Sequence, residues 1–208
     1  MTTLTKRIVA AVLACVGAAM SIWAGKLYFT PANWDIDDAI RFGDVARVKH
    51  LLSIQPELVS KRDKRGRTPL YRAADEGNKD VVQMLLSHKA DINAKNDMGE
   101  TPLNWMISVG NKKGAEVLLS FNADVNAGNS RGYTPLHYTA IMNRKEIAEL
   151  LLAHHADINA RTGGGKGGTP LDVAVMVKRN EMAELFRSHG GKSGKELDAE
   201  VLPKSGTQ

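Results

Sequence analysis

Apolar and polar positions change rhythm along this chain in a pattern that recurs. In TPLYRAADEGNKDVVQMLLSHKADINAKNDMGE, residues 68–100, Val81, Val82, Leu85 and Leu86 form an i, i+4 stripe. That spacing predicts a short helix with one apolar face. A shorter helix is expected ahead of it. Thr68 offers a side-chain oxygen to the free amides of a helix start, and Pro69 loses nothing at the first helical position. The small Ala73 and Ala74 allow a partner to approach closely, and Gly77-Asn78 ends this helix and caps the next. After Leu86 the helical period is lost, and the Asn, Asp and Gly residues of ADINAKNDMG suit a turn projecting from the helix pair.

The same layout returns. Thr-Pro-Leu stands at 68–70, 101–103, 134–136 and 169–171, so the offsets are 33, 33 and 35 residues. Gly66, Gly99, Gly132 and Gly168 precede the four triplets, and ADINA, ADVNA and ADINA superpose at 90, 123 and 156. A period of this length predicts units that bury their apolar faces only against their neighbours. The copies differ in bulk. Met106-Ile107 replace Ala73-Ala74, while Gly114-Ala115 replace Val81-Val82. A helical glycine costs about 1 kcal/mol relative to alanine, so the third unit is expected to be the weakest. Gly114→Ala is expected to be neutral or stabilising if that helix has room for a methyl, and destabilising if Gly114 accepts a bulky neighbour, Trp105 or Met106 first. TGGGKGG, residues 162–168, inserts two residues before the fifth unit and predicts a loose finger.

Helix, turn, helix and outward finger at this period resemble the ankyrin repeat, and TPLHYTA and AEVLLSFNADVNA nearly reproduce the family pattern in register. A first unit without Thr-Pro-Leu, WDIDDAIRFGDVARVKHLLSIQPELVSKRD, fits with Gly43-Asp44 aligned to Gly77-Asn78. The resemblance implies an all-α solenoid of stacked helix–turn–helix units with projecting β-hairpin fingers. It implies five repeats, at about 34–62, 63–95, 96–128, 129–161 and 162–190, within a domain spanning 30–190. Arg187, where Leu86, Leu119 and Leu152 stand in earlier units, suits an end unit that nothing covers.

The resemblance also implies a role: binding another protein, without catalysis, as a monomeric repeat domain. In such stacks the end of each first helix lines the concave surface beside the fingers. Val109, Ile141, Met142, Met176 and Val177 would align there as an apolar strip, with Met98 and Tyr133 on the neighbouring fingers. These residues either form a groove for an apolar segment or turn inward between repeats. An accessory or immunity protein that inhibits or protects one specific enzyme is the alternative from a different functional class.

The first 29 residues follow another pattern. Lys6 and Arg7 precede IVAAVLACVGAAMSIWAG, eighteen residues without a charge. This predicts an export signal or a transmembrane anchor through residues 8–25, with the repeats on the extracytoplasmic side, periplasmic in a bacterium. Gly17 and Ala19 offer the small-residue spacing of a cleavage site, so a secreted or periplasmic product is the alternative. Residues 191–208 are polar and are expected to be a disordered tail.

Charge and chemistry add little. The net charge of +5 supports no nucleic-acid partner. Locally, KRDKRGRTPLYR concentrates cations, and Lys64, Arg65 and Arg67 on the first finger are either a solvated edge or a patch for an anionic partner. Neither GGGKGGT nor GGKSGK meets the phosphate-loop pattern. Cys15 is the single cysteine, so no disulfide is available. Six histidines include the adjacent His154-His155 at a helix end and His137 within TPLH, where the resemblance implies structural hydrogen bonds. No nucleophile motif, metal site or cofactor site is predicted.

Overall fold

The computed structural model describes the backbone of residues 18–23, 26–31, 35–165 and 167–201. Ala18–Trp23 (β1) and Lys26–Pro31 (β2) pair antiparallel, with Ala18 opposite Pro31 and Trp23 opposite Lys26. Among the described residues no helix is long and apolar enough to cross a membrane. The expected transmembrane helix therefore has no counterpart where the chain is described: residues 18–23 of the apolar run pair their backbone with β2. Residues 8–17 and 24–25 of that run lie outside the described residues.

The repeat domain is a stack of helix pairs. Ile36–Arg41 (α1) packs on Val45–Ile54 (α2), Pro69–Asp75 (α3) on Lys79–Ser87 (α4), and Pro102–Val109 (α5) on Lys112–Ser120 (α6). Pro135–Met142 (α7) and Lys145–Ala153 (α8), then Pro170–Met176 (α9) and Asn180–Ser188 (α10), complete five pairs among the described residues. First helices contact first helices from α1 through α9, forming one layer, and second helices form the other. The core runs unbroken between the layers, from Ile36 and Leu52 through Leu85, Leu118 and Leu151 to Phe186. Each pair leaves an apolar face that the next covers, so stability resides in the stacking.

Local chemistry sets the element ends. Asp44, Asn78 and Asn111 accept hydrogen bonds from the amides of Arg47, Val81 and Gly114 and so cap α2, α4 and α6. At the same register α8 and α10 have Arg144 and Arg179, and neither side chain caps. Three of the fingers are tight turns built on an Asp or Asn at one register. Asp63 Oδ1 accepts from the amides of Arg65 and Arg67, Asn96 Oδ1 from Met98 and Glu100, and Asn129 Oδ1 from Arg131 and Tyr133. The carboxamide or carboxylate replaces the returning carbonyl of a ladder. Asn93, Asn126 and Asn159 then tie successive units together, accepting from the amides of Asp124, Asp157 and Lys192.

Lys192 in that series shows what the C-terminal segment does. Residues 191–201, expected as disordered, instead close the stack: Gly194–Val201 (α11) is helical. Composition alone misled because the contacts are polar. Ser193 and Glu196 cap α11 reciprocally, Arg161 pairs with Asp198 at 2.6 Å, and the Gly194 amide donates to Asp172 at 2.8 Å. Residues 202–208 lie outside the described residues.

The glycine-rich finger is pinned at its base. The amide of Thr162 donates to Gly168, Gly167 donates to Thr162, and Gly163 donates to Arg131 on the previous finger. Gly163 and Gly164 adopt φ of 58° and 70°, and added Cβ atoms there would meet nothing within 4 Å.

Gly114 has no room for a methyl, and Met106 is the bulky neighbour. A Cβ on Gly114 would lie 2.6 Å from the Ala74 carbonyl oxygen and 2.5 Å from Met106 Sδ. The bulk moved into α5 by Met106 occupies the space that Val81 fills one unit earlier. Glycine is the steric complement of that change.

Candidate functional site

The exposed face of the first helices and the adjoining fingers carry the unexplained chemistry. It divides at Trp105 on α5.

On the C-terminal side are the expected apolar residues. Val109 is 46% exposed, Met142 40% and Met176 68%, each at the end of a successive first helix, while Met98 on a finger is 57% exposed. Val175, absent from the sequence reading, joins them at 52%. Ile141 and Tyr133 are half-buried and pack against the core, and Val177 is half-buried. Tyr133 sits edge-on to His137, with ring centroids 5.6 Å apart. The strip thus has exposed members and a partly buried footing, which settles Ile141 and Tyr133 largely into packing.

On the N-terminal side a pocket of about 120 Å³ opens between the first finger, α3 and α1. Its walls include Lys61, Arg62, Arg67, Arg72, Asp37 and Trp105. Arg67 is not the free cation that the sequence suggested. It meets Asp63 at 2.7 Å, and its guanidinium lies 5.1 Å from the Trp105 ring centroid, with Arg65 at 5.9 Å from the same ring. Burial raises the Asp63 carboxyl, but hydrogen bonds from the Arg67 side chain and from the backbone of Arg67 and Arg65 outweigh it and hold Asp63 below its ordinary value. Arg62 donates to the carbonyls of Gly66 and Lys95, both at 2.7 Å. Lys64 is exposed and stands outside the pocket. Burial, with the Asp35 charge, pushes Asp37 above the usual carboxylate range, against the opposing pull of Arg72 and Lys61.

Beneath both halves lies a polar row that sequence reasoning resolved only at His137. Four different side chains at one register reach the following finger or its terminal equivalent. Tyr71 donates to the Ala94 carbonyl at 2.8 Å, and Asn104 to the Ala127 carbonyl at 3.1 Å. His137 Nδ1 accepts from the Thr134 amide, so the proton sits on Nε2, 3.1 Å from the Gly168 carbonyl. Asp172 accepts from Gly194. Burial lowers the His137 pKa below 6.5, which keeps the ring neutral. Glu100, 8% exposed, accepts from Tyr138 and from Asn96, both at 3.1 Å. Burial foremost, with the Glu100 charge, pushes the Tyr138 hydroxyl up to about 12.

Among the described residues no three His, Cys, Asp or Glu side chains converge as a metal set. His189 Nδ1 lies 2.9 Å from the Leu185 carbonyl, and His154 and His155 are exposed at the end of α8.

A sequence model of ankyrin repeats (3 copies) matches residues 36–129, 93–162 and 121–196, overlapping placements that cover most of the chain. The chain belongs to the ankyrin repeat family. It is 35% identical over 66 residues to ankyrin repeat domain-containing protein 13C of Homo sapiens, covering 32% of this chain and 12% of that protein. The Mus musculus protein 13C is 31% identical over 83 residues, 40% of this chain and 15% of the relative. Ankyrin repeat domain-containing protein 35 of Homo sapiens is 38% identical over 60 residues, 29% of this chain and 6% of the relative. The matched segments thus span only a small part of these relatives. Ankyrin repeats are generally non-catalytic binding modules, and the groove between first helices and fingers is the surface consistent with that role.

Proposed function

We propose that the protein is a non-catalytic scaffold that binds another protein in this groove. The observation that carries the reading is the exposure of Val109, Met142 and Met176, the last residues of three successive first helices. Large apolar side chains aligned on a solvated face mark an interaction surface, and methionine adapts to varied partners. We further propose that the repeats act on the extracytoplasmic side of a membrane. Lys6 and Arg7 before an eighteen-residue uncharged run support that placement, by an anchor or by a cleaved signal.

A photo-crosslinking residue placed at Met142 in the full chain, expressed in its native cell, tests the groove. One defined adduct is expected, and Met142→Glu with the crosslinker moved to Met176 should abolish it without shifting the melting temperature. Crosslinking unaffected by Met142→Glu would move the binding surface elsewhere. For placement, an alkaline phosphatase fused to the C-terminus in a bacterial host should be active. An inactive fusion beside a fluorescent cytosolic one would overturn it.

A further inference from the structure

We infer that the groove selects an extended peptide segment that seats an Asp or Glu side chain in the pocket between Lys61 and Arg72 and lays apolar residues across Val109, Met142 and Met176. The inference rests on the groove being the binding surface.

Three observations converge. The first is charge. Four cations and three carboxylates line the pocket, but Asp63 is held by Arg67 and Asp75 accepts from Asn111. Lys61 and Arg72 make no ion pair within 4.0 Å among the described residues and face one inward carboxylate, Asp37. The second is Thr68, which lines the pocket at 9% exposure and whose hydroxyl has no hydrogen-bond partner among the described residues. The equivalent hydroxyls are satisfied: Thr101 accepts from Asn104, Thr134 pairs with His137 at 2.8 Å, and Thr169 donates to Lys192. The residue three positions on explains the exception, because Tyr71 sends its hydroxyl to Ala94 instead. A buried polar atom without a partner is uncommon and asks for an explanation. An incoming carboxylate that parts the flexible cations would supply its acceptor.

The third is continuity. Trp105 walls the pocket, and Val109 follows it one turn later on α5, about 6 Å along the helix axis. Successive first helices then lie about 10 Å apart, which an extended chain covers in roughly three residues. The matching segment is therefore an acid followed by apolar residues at about every third position. A volume of about 120 Å³ admits one such side chain and no helix.

The test uses the full chain in non-ionic detergent and three probes: a labelled decapeptide with one Glu followed by Leu at every third position, its Gln counterpart, and inorganic phosphate as competitor. Fluorescence anisotropy should show the Glu peptide binding about tenfold more tightly than the Gln peptide, as expected for a charge-assisted contact. Arg72→Gln and Lys61→Gln should each erase that preference while leaving Gln-peptide binding unchanged, and Met142→Glu should weaken both peptides. Thr68→Val should raise the melting temperature yet weaken the Glu peptide several-fold, a pair of opposite signs that a purely structural threonine would not give. Equal binding of both peptides, or displacement by millimolar phosphate without peptide preference, overturns the acid selectivity and leaves the groove reading standing. If neither peptide binds, this inference falls, and the crosslink at Met142 decides the groove independently.

Discussion

The two halves of the groove are built on one backbone pattern and present opposite chemistry. Around α3 the exposed ends of the unit are Asp75 and Glu76, the pocket holds guanidinium and ammonium groups, and Asn78 caps the second helix. Around α7 and α9 the same register carries Ile141-Met142 and Met176-Val177, and Arg144 and Arg179 leave their helices without a side-chain cap. Thr-Pro-Leu and the apolar stripe set the backbone, and both halves have them. What differs is a small set of positions that backbone geometry leaves free. Repeat folds separate architecture from recognition in this way, because each unit needs only its stacking faces to be stable.

The bond between the halves is the largest target. Glu100 of the finger before α5 accepts from Tyr138 on α7 and from Asn96, and the Tyr71 hydroxyl of α3 reaches its carbonyl. Glu100→Ala strands the Tyr138 hydroxyl and the Asn96 amide, while Tyr71 keeps its backbone carbonyl, and should cost about 3 kcal/mol. Glu100→Gln, which keeps an acceptor, should cost less than half of that. Urea unfolding compares the two. A loss below about 1 kcal/mol for Ala would mean that the Glu100 carboxylate contributes little to joining the halves.

Next is the steric junction. Gly114→Ala presses a methyl between the Ala74 carbonyl of the first half and Met106. It should destabilise by about 2 kcal/mol, as overpacking does. Gly114→Ala with Met106→Ala should recover part of the loss, because the thioether is removed while the carbonyl stays. A stabilised single variant would show that α6 shifts freely between its neighbours.

The two predictions mark where sequence reading succeeds and stops. The repeat, the helix pairs and the placement of Val109, Met142 and Met176 at the ends of first helices were legible because each follows from spacing within one unit. Their exposure was not, because it depends on how neighbouring units stack. Glu100 was not, because its tyrosine partners lie 29 and 38 residues away in different units. Gly114 was half-legible: Met106, within the same unit, could be suspected as its neighbour, whereas the Ala74 carbonyl belongs to another pair. The pocket was half-legible: the cations stand out in KRDKRGRTPLYR, but the capture of Arg67 by Asp63 and Trp105 depends on the finger turning back. The terminal helix was lost because polar composition reads as disorder unless Asn159 and Asp172 are known to wait for it.

Acid should separate the halves. At one register the first half uses Tyr71, which does not ionise near neutrality, and the second uses His137. Burial lowers the folded pKa of His137, so at pH below 6.5 the unfolded chain binds a proton that the folded chain refuses. Its contribution to stability is therefore full above that value and declines as pH falls toward the folded pKa, by at most about 1.4 kcal/mol per pH unit. His137→Asn, which copies the residue at Asn104, should flatten the difference in urea midpoint between pH 7.5 and 5. An unchanged slope in the variant would assign the acid response to other groups.

The smallest expected effect concerns the caps. Asn78 and Asn111 each accept from the amide three residues on, whereas Arg179 at the equivalent position has no acceptor to offer and its side chain is exposed. Its backbone, φ −95° and ψ 78°, is close to that of Asn78 at −88° and 94°, so an asparagine would enter without rearrangement. Arg179→Asn should stabilise by about 0.5–1 kcal/mol through a bond to the Met182 amide, the usual worth of a cap. Loss of the arginine also removes a cation from the start of α10, where the helix dipole opposes positive charge. To separate the two terms, Arg179→Gln removes the charge without capping. The Asn variant should exceed Gln by most of the gain, and that excess should persist in 0.5 M salt, where a purely electrostatic benefit fades. If Gln matches Asn at low salt and both gains vanish at high salt, the halves differ in charge at this register and not in capping.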